Sequence, residues 1–203
     1  MKLGEVFNEA AIPEITFEEP REFKFLMAAV ETKGKHITLC GPSGCGKSTL
    51  ALKAIKTGGI SLSDCHFFNA RSYSALAEPE VVFSAALGTS QDWDEIEDMM
   101  RLATFVIIDD FHHFHPEVRN FIGSRLKLWH EKGIRVFLIG IARTTQLLLQ
   151  LDPELGIRNE PFEMGIQDET FIGNVIKKGE AALNFKFSDS TRTEIASGSK
   201  GIP

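Results

Sequence analysis

Residues 36–50, HITLCGPSGCGKSTL, bring together the residue types that hold a polyphosphate. Gly41-Pro42-Ser43-Gly44-Cys45-Gly46-Lys47-Ser48 has the spacing G-x-x-x-x-G-K-[ST], set between an apolar run (His36 to Cys40) and an apolar-periodic segment (Thr49 to Ile55). Glycines let successive backbone N–H groups turn inward around phosphate oxygens, and a helix beginning near Gly46 aims its positive end at the same anion. Lys47 supplies a point charge to the outer phosphates, and the Ser48 hydroxyl is a ligand for magnesium. Residues 41–49, Thr49 included, are therefore predicted to contact a nucleoside triphosphate. Such a cradle needs a second acid. Asp109 closes the apolar run Phe105-Val106-Ile107-Ile108 and is predicted to hold magnesium with Ser48, while Asp110 is placed to orient or deprotonate an attacking water.

The elements that must position these groups follow from periodicity. His36–Cys40, Cys65–Asn69, Phe105–Ile108, Arg135–Ile141 and Phe162–Met164 read as short strands, and a strand apolar on both faces belongs inside a parallel sheet. Helices are predicted over 22–31, 47–56, most of 71–102 with a break near Gly88, 116–132, and 144–151, where Asp152-Pro153 ends the pattern. Strand and helix alternate to about residue 164, which implies a parallel sheet with right-handed crossovers. From Gln167 the signal is helical only, with Ser188 as an N-cap. The expected architecture is an α/β, three-layer P-loop sandwich over 1–164 with a small helical lid over 165–203.

Composition narrows the class. Of 203 residues 43% are hydrophobic, enough to bury a core, and 22 basic against 28 acidic residues give a net charge of −6, which argues against a surface built mainly for nucleic acid or anionic lipid. Three unevenly spaced cysteines, one of them in the phosphate loop, do not form a disulfide framework. No apolar run has the length of a membrane span and no secretory leader is visible, so the expectation is a cytoplasmic protein with no membrane partner. The chain stops at Gly201-Ile202-Pro203 with no polar tail, and the lid is expected to be truncated.

GPSGCGKS, FVIIDD, RVFLIGIART and DPELGIRNEPFEM, in that order and followed by a helical tail ending in GIP, resemble AAA+ and STAND-type P-loop ATPases. The likeness spans roughly residues 12–203 and extends both to the initiator and transposition-regulator branch and to NB-ARC/NACHT-like signalling ATPases. The resemblance implies a segment around Ile12 and Pro13 lining the adenine pocket. It also implies Arg143 at the γ-phosphate-sensing position, where many AAA+ proteins carry asparagine, and Arg158 as an arginine finger reaching the neighbouring subunit's nucleotide. Asn159 departs from a second arginine common there, and the lid arginine that often follows G-x-P is not included. Asp110 stands where efficient motors carry glutamate, and its shorter reach points to a slow switch.

The resulting expectation is an ATP- and Mg2+-dependent module that hydrolyses slowly. It oligomerises through its nucleotide site and controls an attached effector domain or a partner protein in signalling or defence. The alternative is a DNA-handling ATPase of the transposition-regulator or initiator type, against which the acidic stretch Asp92–Asp98 counts. A small-molecule kinase would need an arginine-rich lid, and the tail offers Arg192 alone. His112, His113 and His115 form a dense cluster after the acidic pair. Adjacent histidines on a loop are expected to diverge, leaving them structural or nucleotide-adjacent polar roles. Cys45 is expected to turn away from the phosphates.

Overall fold

A computed structural model describes residues 2–7, 12–141, 144 and 155–203. In chain order its elements are α1 (Leu3–Val6), α2 (Phe23–Glu31), β1 (His36–Cys40), α3 (Lys47–Thr57), β2 (Cys65–Asn69), α4 (Pro79–Leu87), α5 (Trp93–Leu102), β3 (Phe105–Asp109), α6 (Pro116–Glu131), β4 (Val136–Gly140), α7 (Leu155–Arg158), β5 (Asn159–Glu163), α8 (Glu169–Leu183) and α9 (Asp189–Gly198). The strands form one sheet in the order β2-β3-β4-β1-β5, and every pairing is parallel.

β1, β3 and β4 are buried at every position, as interior strands must be when helices cover both faces. Their two-residue alternation sorts the core into two layers. Val106, Ile108, Val136 and Leu138 meet Phe83 of α4, Ile96 of α5, and Ile122 and Trp129 of α6. Phe105, Ile107, Phe137 and Ile139 join Ile37 and Leu39 of β1 against Leu26 of α2 and Leu50 and Ile55 of α3. Arg125 follows the apolar stripe of α6 because its guanidinium lies over the Phe121 and Trp93 rings, 5.1 and 5.9 Å from their centroids. α8 and α9 share a smaller core of Ile172, Ile176 and Ala196. The Ser188 hydroxyl accepts from Thr191 N at 3.2 Å, capping α9 as its sequence predicts.

Two boundaries differ from the sequence reading. Residues 70–73 form a 3-10 turn, and α4 starts only at Pro79, whose fixed φ and missing N–H suit a first helical position. β5 begins at Asn159 rather than Phe162. It is an edge strand, so Pro161 is tolerated, and its buried position holds the polar Asn159, which accepts from Thr38 Oγ1 at 2.9 Å. The predicted helix over 144–151 falls almost wholly outside the described residues.

β1 also buries a histidine. His36 is fully enclosed; its Nε2 donates to the Leu126 carbonyl at 2.7 Å and its Nδ1 accepts from Val136 N at 3.1 Å. Both bonds are satisfied by the neutral ring, and a proton on Nδ1 would face another N–H. Burial pushes its pKa down to about 4, against the Leu126 bond that favours the charged form. A depressed histidine pKa withdraws stability as pH falls below its unfolded value of about 6.5. Between pH 7.5 and 5 the fold should lose about 2 kcal/mol through this residue, read as a lower urea midpoint, and His36→Gln should flatten that slope.

Candidate functional site: a phosphate cradle at the carboxyl edge of the sheet

The carboxyl ends of β1, β2, β3 and β4 lie along one sheet edge, with Cys40 opposite Gly140 and Asn69 opposite Asp109. β1 runs directly into the glycine loop. Gly44 and Gly46 take φ of 81° and 94°, which disfavours a side chain, and Gly46 is the N-cap of α3 with no side chain capping it. The first-turn N–H groups of α3 are thus left to an anion. Gly41 is required by proximity: a Cβ there would come within 2.2 Å of the Met164 carbonyl oxygen. Pro42, Ser43 and Gly44 are exposed at the rim, whereas Cys45 is fully buried, with its thiol directed to Met164 O at 3.9 Å. Burial pushes that thiol's pKa up, so Cys45 packs beneath the loop, as expected.

Lys47 is buried, and its Nζ donates to the Pro42 carbonyl at 2.6 Å, spanning the mouth of the loop. Ser48 Oγ donates to Asp109 Oδ2 at 2.6 Å. This bond joins α3 to β3 although β4 lies between β1 and β3 in the sheet. Two hard oxygens this close, beside a phosphate cradle, form the donor set magnesium prefers, so Ser48 and Asp109 fit that ion. Asp109 Oδ1 accepts from Asp110 N at 2.8 Å, which fixes the carboxylate's orientation.

Asp110 carries a feature not anticipated from sequence. Its Oδ2 accepts from Asn69 Nδ2 at 3.2 Å and from Arg71 Nε at 2.6 Å. Burial tends to raise its pKa, but the Arg71 and Asn69 bonds outweigh burial and hold it below the usual carboxylate range. Asn69 was findable in principle, as a polar residue closing the strand beside the acidic one. Arg71 was not, because the 3-10 turn that aims it has no periodic signature.

Beside the loop lies a cavity of about 480 Å³, within the range of small-molecule sites. Pro13 and Phe17 wall it on one side, Gly46 and Thr49 on another, and Val175 of α8 and Pro203 on a third. Ile12 is half-buried and does not line it. Residues 13–18 are tied to both neighbours: Glu14 pairs with Lys53 and Lys56 of α3 at 2.9 and 2.6 Å, and Glu18 with Lys178 of α8 at 2.7 Å. The chain's last residues return to the loop. A Cβ on Gly44 would lie 3.3 Å from Ile202, and one on Gly46 3.9 Å from Pro203. Gly201 (φ 78°) sits so tightly that a Cβ would reach Gln167 O at 2.3 Å.

Of the two predicted arginines, the structure describes one, and it is not gathered here. Arg143 lies outside the described residues. Arg158 ends α7 just before Asn159, which pairs with His36 at the start of β1. It therefore stands at the opposite edge of the sheet from the cradle of its own chain.

This is the fold of AAA+ P-loop ATPases. Neither a protein-family model nor a curated protein matches the sequence. Among solved structures, Cdc6p from Pyrobaculum aerophilum matches with a TM-score of 0.64 and 17% identity over 95% of this chain and 57% of that one. The RuvB Holliday junction branch migration motor of Thermotoga maritima matches at 0.61 and 19%, over 90% and 56%. Domain III of the Thermotoga maritima replication initiation protein DnaA matches at 0.59 and 13%, over 89% and 78%. The chain thus spans little more than half of the RuvB structures it resembles. No helix among the described residues is long and apolar enough to cross a membrane.

Proposed function

We propose that this chain is an ATP-binding, slowly hydrolysing module that works as an oligomerising conformational switch. The observation carrying this reading is the convergence of Lys47, the Ser48–Asp109 pair and Asp110 at one sheet edge, beside a glycine loop whose helix N-terminus has no side-chain cap. Residues 41–48 hold the phosphates, and Pro13, Phe17 and Thr49 enclose the base. Ser48 and Asp109 would hold magnesium, which would supply positive charge to the phosphate oxygens. Residues 165–203 act as a lid: α8 borders the base cavity and Ile202-Pro203 rest on the loop, so bound nucleotide bridges core and lid. A nucleotide that prefers the closed arrangement shifts the module toward it.

Asp110 orients the attacking water. With its carboxylate held by Arg71 and Asn69 and its basicity lowered, it has to exchange partners before acting, which suits slow turnover rather than a motor. Asp110→Asn should leave nucleotide affinity within about twofold while lowering turnover by at least about 100-fold. Parallel nucleotide titration and phosphate-release assays check this, and undiminished turnover would remove the assigned role.

The switch would serve signalling or defence through an attached effector domain or a partner protein. A second reading, a DNA-handling ATPase, has the support of the structural neighbours, which include a branch migration motor and a replication initiation protein. The net charge of −6 weighs against it. Fluorescence anisotropy with duplex DNA, with and without ATP, separates the two. Salt-dependent, nucleotide-dependent binding favours the DNA reading, and its absence favours the switch.

A further inference from the structure

The turn after Asp109 gathers a second constellation that holding a nucleotide does not require. Asp110 takes a left-handed conformation (φ 54°, ψ 34°) and caps the 3-10 turn Phe111–His113. His113 N donates to Asp110 O at 2.8 Å. Residues three apart eclipse in such a turn, which returns His113 to the side of Asp110. The His112 ring lies beside that of His113, with centroids 4.2 Å apart. One ligand atom from each of Asp110, His112 and His113 lies within 4.8 Å of the others, and all three residues are half-buried. The expected divergence of neighbouring histidines is thus undone by the tightness of the turn. His115 does diverge: its Nδ1 accepts from Glu117 N at 3.4 Å at the start of α6.

A second observation points to a ligand. His112 Nδ1 is shielded from solvent and has no hydrogen-bond partner among the described residues. A buried ring nitrogen is costly to leave unpaired and is available to an ion. Two imidazoles and one carboxylate select a borderline divalent ion over magnesium, which prefers an all-oxygen shell. Three protein ligands also leave a fourth tetrahedral position for water.

We propose that Asp110, His112 and His113 bind a transition-metal ion of the Zn2+ or Co2+ kind beside the phosphate cradle, and that its occupancy suppresses ATP turnover by engaging Asp110. The suppression rests on the reading of Asp110 given above; the site itself does not. Arg71, 2.6 Å from the Asp110 carboxylate, competes with the ion for the same group. The metal thereby substitutes one cationic partner of Asp110 for another.

Titrating the nucleotide-free chain with Co2+ and following its visible d–d absorption tests the site. One ion per chain should bind, yielding to Zn2+ but not to excess Mg2+. His112→Ala and His113→Ala should each weaken binding at least about tenfold, His115→Ala should leave it unchanged, and Arg71→Gln should tighten it by about tenfold. Circular dichroism verifies folding, and His113→Gln replaces any alanine variant that fails to fold. No Co2+ uptake, or uptake unaltered in both histidine variants, overturns the site. In a second arm, Zn2+ at about four times its Kd should lower Mg–ATP turnover of the unaltered chain about fivefold, while His112→Ala should keep at least about 70% of its own zinc-free rate, as expected if losing this ligand weakens the site about tenfold or more. Turnover indifferent to Zn2+, with Co2+ binding intact, overturns the inhibition alone. If the chain hydrolyses no ATP even without Zn2+, the ATPase reading and the inhibition fall together, and the Co2+ titration still decides the site.

Discussion

Replacing Lys47 with alanine should weaken nucleotide binding by at least about 100-fold, equivalent to about 3 kcal/mol for charge-assisted bonds to phosphate. The Lys47 side chain is buried, and its ammonium crosses the loop mouth to Pro42 O at 2.6 Å. The ammonium group is therefore held at the cradle by the loop's own carbonyl. Cys45 beneath the loop, and the packing of Leu50 and Ala51 behind it, do not depend on that charge. The variant should remain folded and lose the thermal stabilisation that nucleotide gives the unaltered chain. Fluorescent-nucleotide titration at fixed Mg2+ measures the loss. Wild-type affinity in Lys47→Ala protein would refute the phosphate cradle and everything assigned around it.

Arg158→Ala should lower turnover by about 1,000-fold while leaving nucleotide binding nearly unchanged, the effect of removing an arginine finger. The reasoning is topological. Asn159 pairs with His36, and β1 runs five residues from there to the glycine loop, so Arg158 is about one strand length, roughly 16 Å, from its own cradle. As an arginine finger it would act on the nucleotide of a neighbouring copy packed head to tail. Mixing Arg158→Ala with Lys47→Ala protein then rebuilds sites from the intact cradle of one and the intact arginine of the other. In a random mixture about a quarter of the head-to-tail sites recover both groups, and turnover should rise accordingly. Failure to recover any activity would sink the shared site and leave Arg158 an ordinary structural arginine.

How much of this was legible in the chain varied with the range of the interactions. The interior strands were readable because β1, β3 and β4 are buried on both faces and so carry uninterrupted apolar runs. The edge strand β5 was not, since Glu160 and Pro161 lie at the sheet's rim and the buried Asn159 is a polar residue satisfied by Thr38 Oγ1. The helix from Pro116 and the cap at Ser188 were readable from local rules. The start of α4 was misjudged because the 3-10 turn at 70–73 leaves no period to detect.

The same division runs through the candidate site. Sequence alone determined the cradle, because the backbone path around a phosphate depends on glycines at fixed spacing and a lysine one residue beyond. It also supplied the acidic pair, because carboxylates that end a buried strand stand out against an apolar run. Tertiary structure decided which partners those acids have. Ser48 meets Asp109 across an intervening strand, 61 residues away, and Arg71 holds Asp110 across 39. It likewise turned His112 and His113 back toward Asp110, through a left-handed residue and a 3-10 turn that residue types alone do not specify. Local chemistry is written in spacing, whereas the company an acid keeps depends on which strands become neighbours.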